Sequence, residues 1–257
     1  MTGPRVQRLL QVALIGVLVA VIAVETVQLY FIIDGQSAIG TDLDYYRFVA
    51  ERWRTTGVYY TDQQLAGPYV VQTQVHNLYP PHALYLFVPF LFLPDILWWV
   101  LPLAFLAYVI WWCRPTPWTW VLLLGLLALP KGPAQILFGN TDMWIAAFAA
   151  GAVRWPWPGV LVSIKPSLAL FGLPGVLSRA WWLGAAGLVL LSLPLWSYWL
   201  QWPIITQHSS AQLSYSFGNF PFFFLPIVAW LGSSKRGDIP FRQWVLALLG
   251  RRVVDQT

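Results

Sequence analysis

Long apolar runs, broken by prolines and short polar stretches, dominate the chain. The first, LLQVALIGVLVAVIAVETVQLYFII (9–33), carries Glu25 as its one charge. A helix of that length, at ~1.5 Å per residue, crosses a ~30 Å hydrocarbon core. It also exceeds the roughly 7–15-residue apolar core of a cleaved signal peptide. Residues 34–82 are mixed polar and aromatic, residues 83–232 return to apolar runs, and residues 233–257 form a basic tail. The pattern predicts an all-α fold: a polytopic transmembrane helical bundle of one domain, with its one large extramembrane element at 34–82.

Within 83–232 the prolines set the expected breaks. Pro89, Pro94 and Pro102 interrupt 81–112, which fits either one kinked crossing or a short helix folding back before a crossing. A rising segment with a break at Pro130 to Pro133 leads to Phe138-Gly139-Asn140, and TDMWIAAFAAGAV descends from there. Between Arg154 and Arg179 the chain is too short for two full spans. A pair of short helices that breaks at SIKPS around Lys165 and returns is the economical solution. Ala180 to Leu200 and Phe217 to Gly232 read as further spans, joined by an outer loop without Lys or Arg. Small residues at Ala146 to Ala152 and Gly172 to Gly175 suit close helix packing.

Composition agrees: 58% of residues are hydrophobic and 10% charged, where a soluble domain has about 25% charged. Arg5 and Arg8 precede the first span and a basic cluster follows the last, which places both termini on the cytoplasmic side and loop 34–82 outside. In the tail, Phe241, Trp244, Val245, Leu248 and Leu249 recur at helical spacing beside Arg242, Arg251 and Arg252, as in a helix lying on a membrane surface. The net charge of +5 is not gathered into a basic-aromatic groove, so no nucleic-acid partner is expected. The single cysteine, Cys113, excludes an internal disulfide. His76, His82 and His208 lack metal-ligand spacing, and no metal is expected. Tryptophan pairs such as Trp98-Trp99 and Trp181-Trp182 read as interface belts.

Loop 34–82 concentrates the acids. In GTDLDYYRFVAERW, Tyr45, Tyr46, Val49 and Trp53 form an apolar helical stripe opposite Arg47, Glu51 and Arg54, predicting a juxtamembrane amphipathic helix. Glu51 has Arg47 and Arg54 at helical spacing. Thr41 and Asp44 have the spacing of a capping box. Asp42 has no basic residue placed to pair with it, and a carboxylate fixed at the membrane surface suits a general base, with Asp44 second. A lysine within the membrane is costly, so Lys165 calls for a partner: a bound phosphate, snorkelling to an interface, or an ion pair with Glu25 or Asp142.

These residues also carry a resemblance. DLDYYRFVAERWRTTGVYY, NLYPPHALYLFVPFLFLP, FGNTDMWIAAFAA and LVSIKPSLALFGLPGVL, in this order, resemble the pattern of glycosyltransferase family 87, membrane mannosyl- and arabinosyltransferase-like proteins of the GT-C fold. Asp42-Leu43 with Tyr46, Gly57 with Tyr60, and Tyr79-Pro80-Pro81 match its first three motifs. Gly139 is followed directly by Asn140, without the usual intervening Gln, and Lys165 directly by Pro166. The resemblance implies inverting transfer of a sugar from a polyprenyl-phosphate donor to a glycan or glycolipid hydroxyl, on the extracytoplasmic side of a bacterial inner membrane. It implies no cofactor, since the lipid-linked sugar is a substrate. The roles it suggests are Asp42 or Asp44 as base, Lys165 and His76 at the donor phosphate, and Tyr46, Tyr79, Asn140 and Asp142 at the substrates. Helix capping is an equal use for Asn140. A transporter or flippase for a lipid-linked sugar, or a noncatalytic membrane partner of an envelope-glycan complex, would use the same cavity without chemistry.

Overall fold

The computed structural model describes residues 39–71, 75–127, 131–210 and 221–233, with helical residues between 9 and 27. Among the described residues all regular structure is helical, and two isolated bridges, Tyr69 with Ser209 and Pro115 with Ser233, tie loops together. The expected first span lies only partly within the described residues. Of the tail only Ser233 does, so its predicted surface helix lies outside them.

Helix α1 (Thr41–Thr56) forms where the apolar stripe was expected, burying Leu43, Tyr46, Val49 and Ala50. Its start differs from expectation. Gly40, in the left-handed region at φ 83°, is the cap, and Thr41 is the first helical residue, so the Thr41/Asp44 capping box does not form. Asp44 is left exposed on the first turn, its backbone N–H donating to the Gly40 carbonyl at 2.9 Å. Glycine suits that position because a Cβ in the left-handed region is strained. Arg47 also departs from the expected pairing. Its guanidinium bridges to the Phe90 carbonyl (2.7 Å) and to Asp95 (2.5 Å), pinning α1 to the next hairpin, while Glu51 pairs with Arg54 alone.

After the short helix α2 (Asp62–Ala66), residues 81–91 wind through one 3-10 turn, α3 (Leu84–Phe87) and a second 3-10 turn before breaking at Pro94. Helix α4 (Ile96–Cys113) then runs unbroken through Pro102. The stretch is thus divided at residues 92–95 into a short helical part and a longer helix. Helices α5 (Pro117–Leu127) and α6 (Lys131–Phe138) lead to the turn at Gly139, and α7 (Asp142–Arg154) follows.

Helix α7 is the centre of the molecule. Ala146, Ala147, Ala149, Ala150, Gly151 and Ala152 are all buried, and their small side chains let α4, α10 (Pro221–Leu231) and the following segment approach from different sides. That segment is the predicted broken pair. Trp157–Ile164 and Pro166–Gly175 are wound as 3-10 helices of 8 and 10 residues, much longer than the usual three or four. They fold back on each other at Lys165. Gly159 and Gly172 meet backbone to backbone, and a Cβ on either would collide with the other's carbonyl oxygen.

Helices α8 (Arg179–Ser192) and α9 (Trp196–His208) are joined by a 3-10 turn into one 30-residue stretch. It continues past Leu200, so residues 201–208 are helix where a loop was expected. With α4, this stretch is one of two described helices long and apolar enough to cross a membrane, at mean hydropathies of 1.5 and 1.9. Its outer face, including Leu183, Val189, Leu190, Leu191 and Leu200, is exposed. Contiguous apolar surface of that extent marks a contact with membrane or protein.

Candidate functional site

The turn between α6 and α7 assembles the site. Gly139 adopts a left-handed conformation, φ 73°, and a Cβ there would crowd Trp99 and Leu43 at 3.2 and 3.3 Å. Two indoles hold the turn: Trp98 Nε1 donates to the Gly139 carbonyl at 2.6 Å and Trp99 Nε1 to the Ile136 carbonyl at 2.5 Å. Trp98 is fully buried. This pair is therefore a clamp on the turn, where the sequence pattern suggested an interface belt. The Gly40 N–H donates to the Leu137 carbonyl at 2.8 Å, which fixes the first residues of α1 against the same turn.

Asn140 then faces two ways. Its Nδ2 donates to Asp42 Oδ2 at 2.7 Å, and its Oδ1 accepts the Asp142 backbone N–H at 3.0 Å. Asn140 is not the cap of α7, which is Thr141, but the bond from its oxygen to the N–H two residues on fixes the side chain and aims the amide nitrogen at α1. Asp142, fully buried, receives Lys165 Nζ at 2.5 Å, from a side chain only 4% exposed. Asp42, Asn140, Asp142 and Lys165, spread over more than 120 residues of sequence, thus form one connected polar chain.

A second line of hydroxyls runs beside it. The Tyr46 and Tyr79 hydroxyls meet at 3.1 Å, Tyr79 reaches Thr141 Oγ1 at 2.8 Å, and the Thr141 N–H donates to the Tyr46 hydroxyl at 3.4 Å. The Tyr46 ring is buried and stacked on Phe87 at 4.7 Å, with the Tyr79 ring edge-on to both. Those aromatic faces are packed against one another, so the two tyrosines buttress the turn. His76 belongs to another network. Its Nδ1 meets the Val70 carbonyl at 3.2 Å and its Nε2 meets Gln63 at 3.1 Å, and neither partner belongs to the Asp42 chain. Asp44, two residues on from Asp42 and so about half a turn around the helix, is exposed to solvent.

Burial pushes the Asp42 carboxyl up from the ordinary carboxylate value. The Asn140 hydrogen bond and the Lys165 charge pull it down, and Asp142 adds a further push up. Desolvation wins because the nearest cation is already held by another carboxylate. The result is a half-buried carboxylate with raised basicity, held in one orientation by an amide.

Next to this chain lies an apolar cavity of about 580 Å³, lined by Pro80, His82, Ser163, Pro166, Trp199 and others from α8 and α9. Ser163 and Pro166 flank Lys165 in sequence, so the 3-10 break that carries the lysine also forms part of the cavity wall. His82 stacks on Trp199 at 5.4 Å and its Nε2 meets Ser163 Oγ at 3.2 Å. Among the described residues no group of His, Cys, Asp and Glu is arranged to hold a metal ion.

Thr141, Trp98 and Trp99 had not been expected at the site. A Trp-Trp pair at a segment end looks alike whether it faces lipid or clamps a turn, and only Gly139, a glycine between Phe and Asn, hinted that something must approach that backbone. Comparisons with protein families, with curated proteins and with solved structures give no match to this chain.

Proposed function

We propose that the protein is a polytopic membrane glycosyltransferase that moves a sugar from a polyprenyl-phosphate donor to a hydroxyl of a glycan or glycolipid, with Asp42 as the general base. One observation carries the reading: Asp42 and Lys165, from distant parts of the chain, end in a single connected cluster beside an apolar cavity. The motif resemblance and the exposed apolar faces of α8 and α9 support it.

The chemistry suits the residues. The acceptor oxygen attacks the anomeric carbon, its proton passes to the Asp42 carboxylate, the new glycosidic C–O bond forms, and the bond from that carbon to the phosphate oxygen breaks. The displaced lipid phosphate takes the bonding electrons and gains a negative charge. A carboxylate raised toward neutrality by burial is a better proton acceptor than one in water, provided it remains ionised at working pH. Lys165 supplies positive charge to the leaving side. The isoprenoid chain of the donor suits the apolar cavity beside Ser163 and Pro166.

The test is Asp42→Asn in the purified full chain, assayed for glycosidic bond formation with a polyprenyl-phosphate-sugar donor. Loss of general-base catalysis is expected to reduce turnover by about 10²–10⁴-fold. Because the substitution removes a carboxylate that is costly to bury, thermal stability at neutral pH is expected to hold or rise. The sign follows from linkage: with its pKa raised on folding, Asp42 binds protons more tightly in the native state, and the ionised form weighs against folding as pH rises through that range. The stability difference between the two proteins is therefore expected to shrink on acidification. Unchanged turnover in the variant would remove the base assignment. Donor-stimulated movement of lipid across vesicles without bond formation would favour the transporter reading.

A further inference from the structure

The far end of α7 carries a different arrangement. Arg154, in the last turn, lies over Trp155, Trp112 and Tyr108 with its guanidinium carbon 4.4, 4.8 and 5.4 Å from the ring centroids, and it donates a hydrogen bond to the Tyr108 hydroxyl. Among the described residues no carboxylate pairs with it. Behind Trp155, Phe105 stacks at 6.2 Å, and the layer opens onto a wholly distinct groove of about 380 Å³. Leu101 and Phe105 of α4, Trp144 and Phe148 of α7, and Trp155 and Trp157 beyond it line that groove. The result is a fixed cation at one end of an apolar trough.

The dimensions name the occupant. Trp144 and Arg154 are ten helical residues apart, so the trough and its cation extend over ~15 Å, about half of a ~30 Å hydrocarbon core and hence one leaflet. Asp142 opens the same helix, so Arg154 lies about 18 Å along its axis from the Asp42 cluster, at the other end of the helix. The rings that would otherwise take a choline group by cation–π attraction are already covered by the guanidinium.

We propose that Arg154 and this groove bind one anionic glycerophospholipid, with an acyl chain along Trp144, Phe148 and Trp157 and the phosphate on the guanidinium. The proposal rests on the reading of the chain as a membrane protein and not on sugar transfer. The unpaired cation favours a lipid of net negative charge over a zwitterionic one.

The experiment titrates dioleoyl phosphatidylglycerol, and separately dioleoyl phosphatidylcholine, into the purified full chain in detergent, and reads the first bound lipid by native mass spectrometry. The anionic lipid is expected to bind about fivefold more tightly. Arg154→Leu is expected to abolish that preference and Arg154→Lys to keep part of it. Leu101→Trp, at an exposed rim position, is expected to weaken both lipids by obstructing the trough. Equal affinities in the unaltered protein, a preference that survives Arg154→Leu, or full binding in Leu101→Trp would each overturn the proposal. Missing preference with sugar transfer intact removes this site alone, and missing transfer with preference intact removes the transferase reading alone.

Discussion

The two ends of helix α1 handle a carboxylate in opposite ways. Glu51, near its C-terminus, is 44% exposed and is gripped by Arg54 three residues on, through two bonds of 2.6 and 2.9 Å. Arg54 holds its carboxyl below the ordinary value. Asp42, at the N-terminus, is bonded to none of the arginines of its own helix; it takes a neutral amide from Asn140, 98 residues away, and burial drives its carboxyl up. A local partner of opposite charge makes an acid inert, whereas a distant neutral partner fixes its direction and leaves its basicity. Same helix, opposite chemical outcome.

That contrast breaks most completely if the support behind Asn140 is removed. Lys165→Met or Asp142→Leu would each leave one uncompensated charge in a buried site, and each is expected to cost about 3–5 kcal/mol. For a chain of this size that corresponds to a fall of roughly 10 °C in Tm, read by thermal unfolding in detergent. The double substitution is expected to recover most of the loss, because no orphaned charge remains. If each single variant melts like the unaltered protein, the lysine and aspartate are not paired, and the chain from Asp42 to Lys165 loses its anchor. If the double variant melts as low as the singles, packing rather than charge is the cause.

Much of this was legible in the sequence, and the reason lies in where each signal originates. The stripe of Tyr45, Tyr46, Val49 and Trp53 announces α1 because helical period is a local property, although the face that the fold buries is that of Leu43, Tyr46, Val49 and Ala50. Asp42 and Lys165 stand out because charges are scarce in so apolar a chain, and Asp142 was already one of the partners open to the lysine. What stayed hidden depends on the path of the backbone in space. The aim of Asn140 needs Gly139 in a left-handed turn, and that turn needs Trp98, 41 residues earlier, to hold its carbonyl. Arg47 sits four residues before Glu51 yet turns to Asp95, because the chain at 90–95 presents the Phe90 and Leu93 carbonyls and a carboxylate on its other side. The burial of Tyr46 and Tyr79 was hidden too, because exposure is not written in residue type.

A smaller perturbation sharpens the comparison at its buried end. Asn140→Ala deletes the donor to Asp42 and the acceptor for the Asp142 N–H together. The Asn140 bond favours the ionised carboxylate, so its loss raises the Asp42 pKa further. The acid limb of the pH profile of kcat/KM is therefore expected to move to higher pH, with a stability loss of about 1–3 kcal/mol for the unsatisfied groups. A limb that stays in place, or moves to lower pH, would show that Asp42 is not the group being titrated.

The smallest effect is expected at the exposed end, and its smallness is the point. Glu51→Gln removes an ion pair whose members lie in water, where screening and side-chain entropy consume the gain. Tm should not move measurably, and the acid limb should stay where it is, because Glu51 is held by its own helix, through the Arg54 guanidinium and the Thr55 hydroxyl on its carbonyl. Arg54, freed of its partner, faces solvent and can be hydrated there. The comparison predicts this asymmetry from geometry alone: nine residues along one helix separate a carboxylate whose removal should end transfer from one whose removal should go unnoticed. A pH profile displaced by Glu51→Gln would mean that the field at Asp42 is set by the whole helix face, and the distinction between locally and distantly partnered acids would fail.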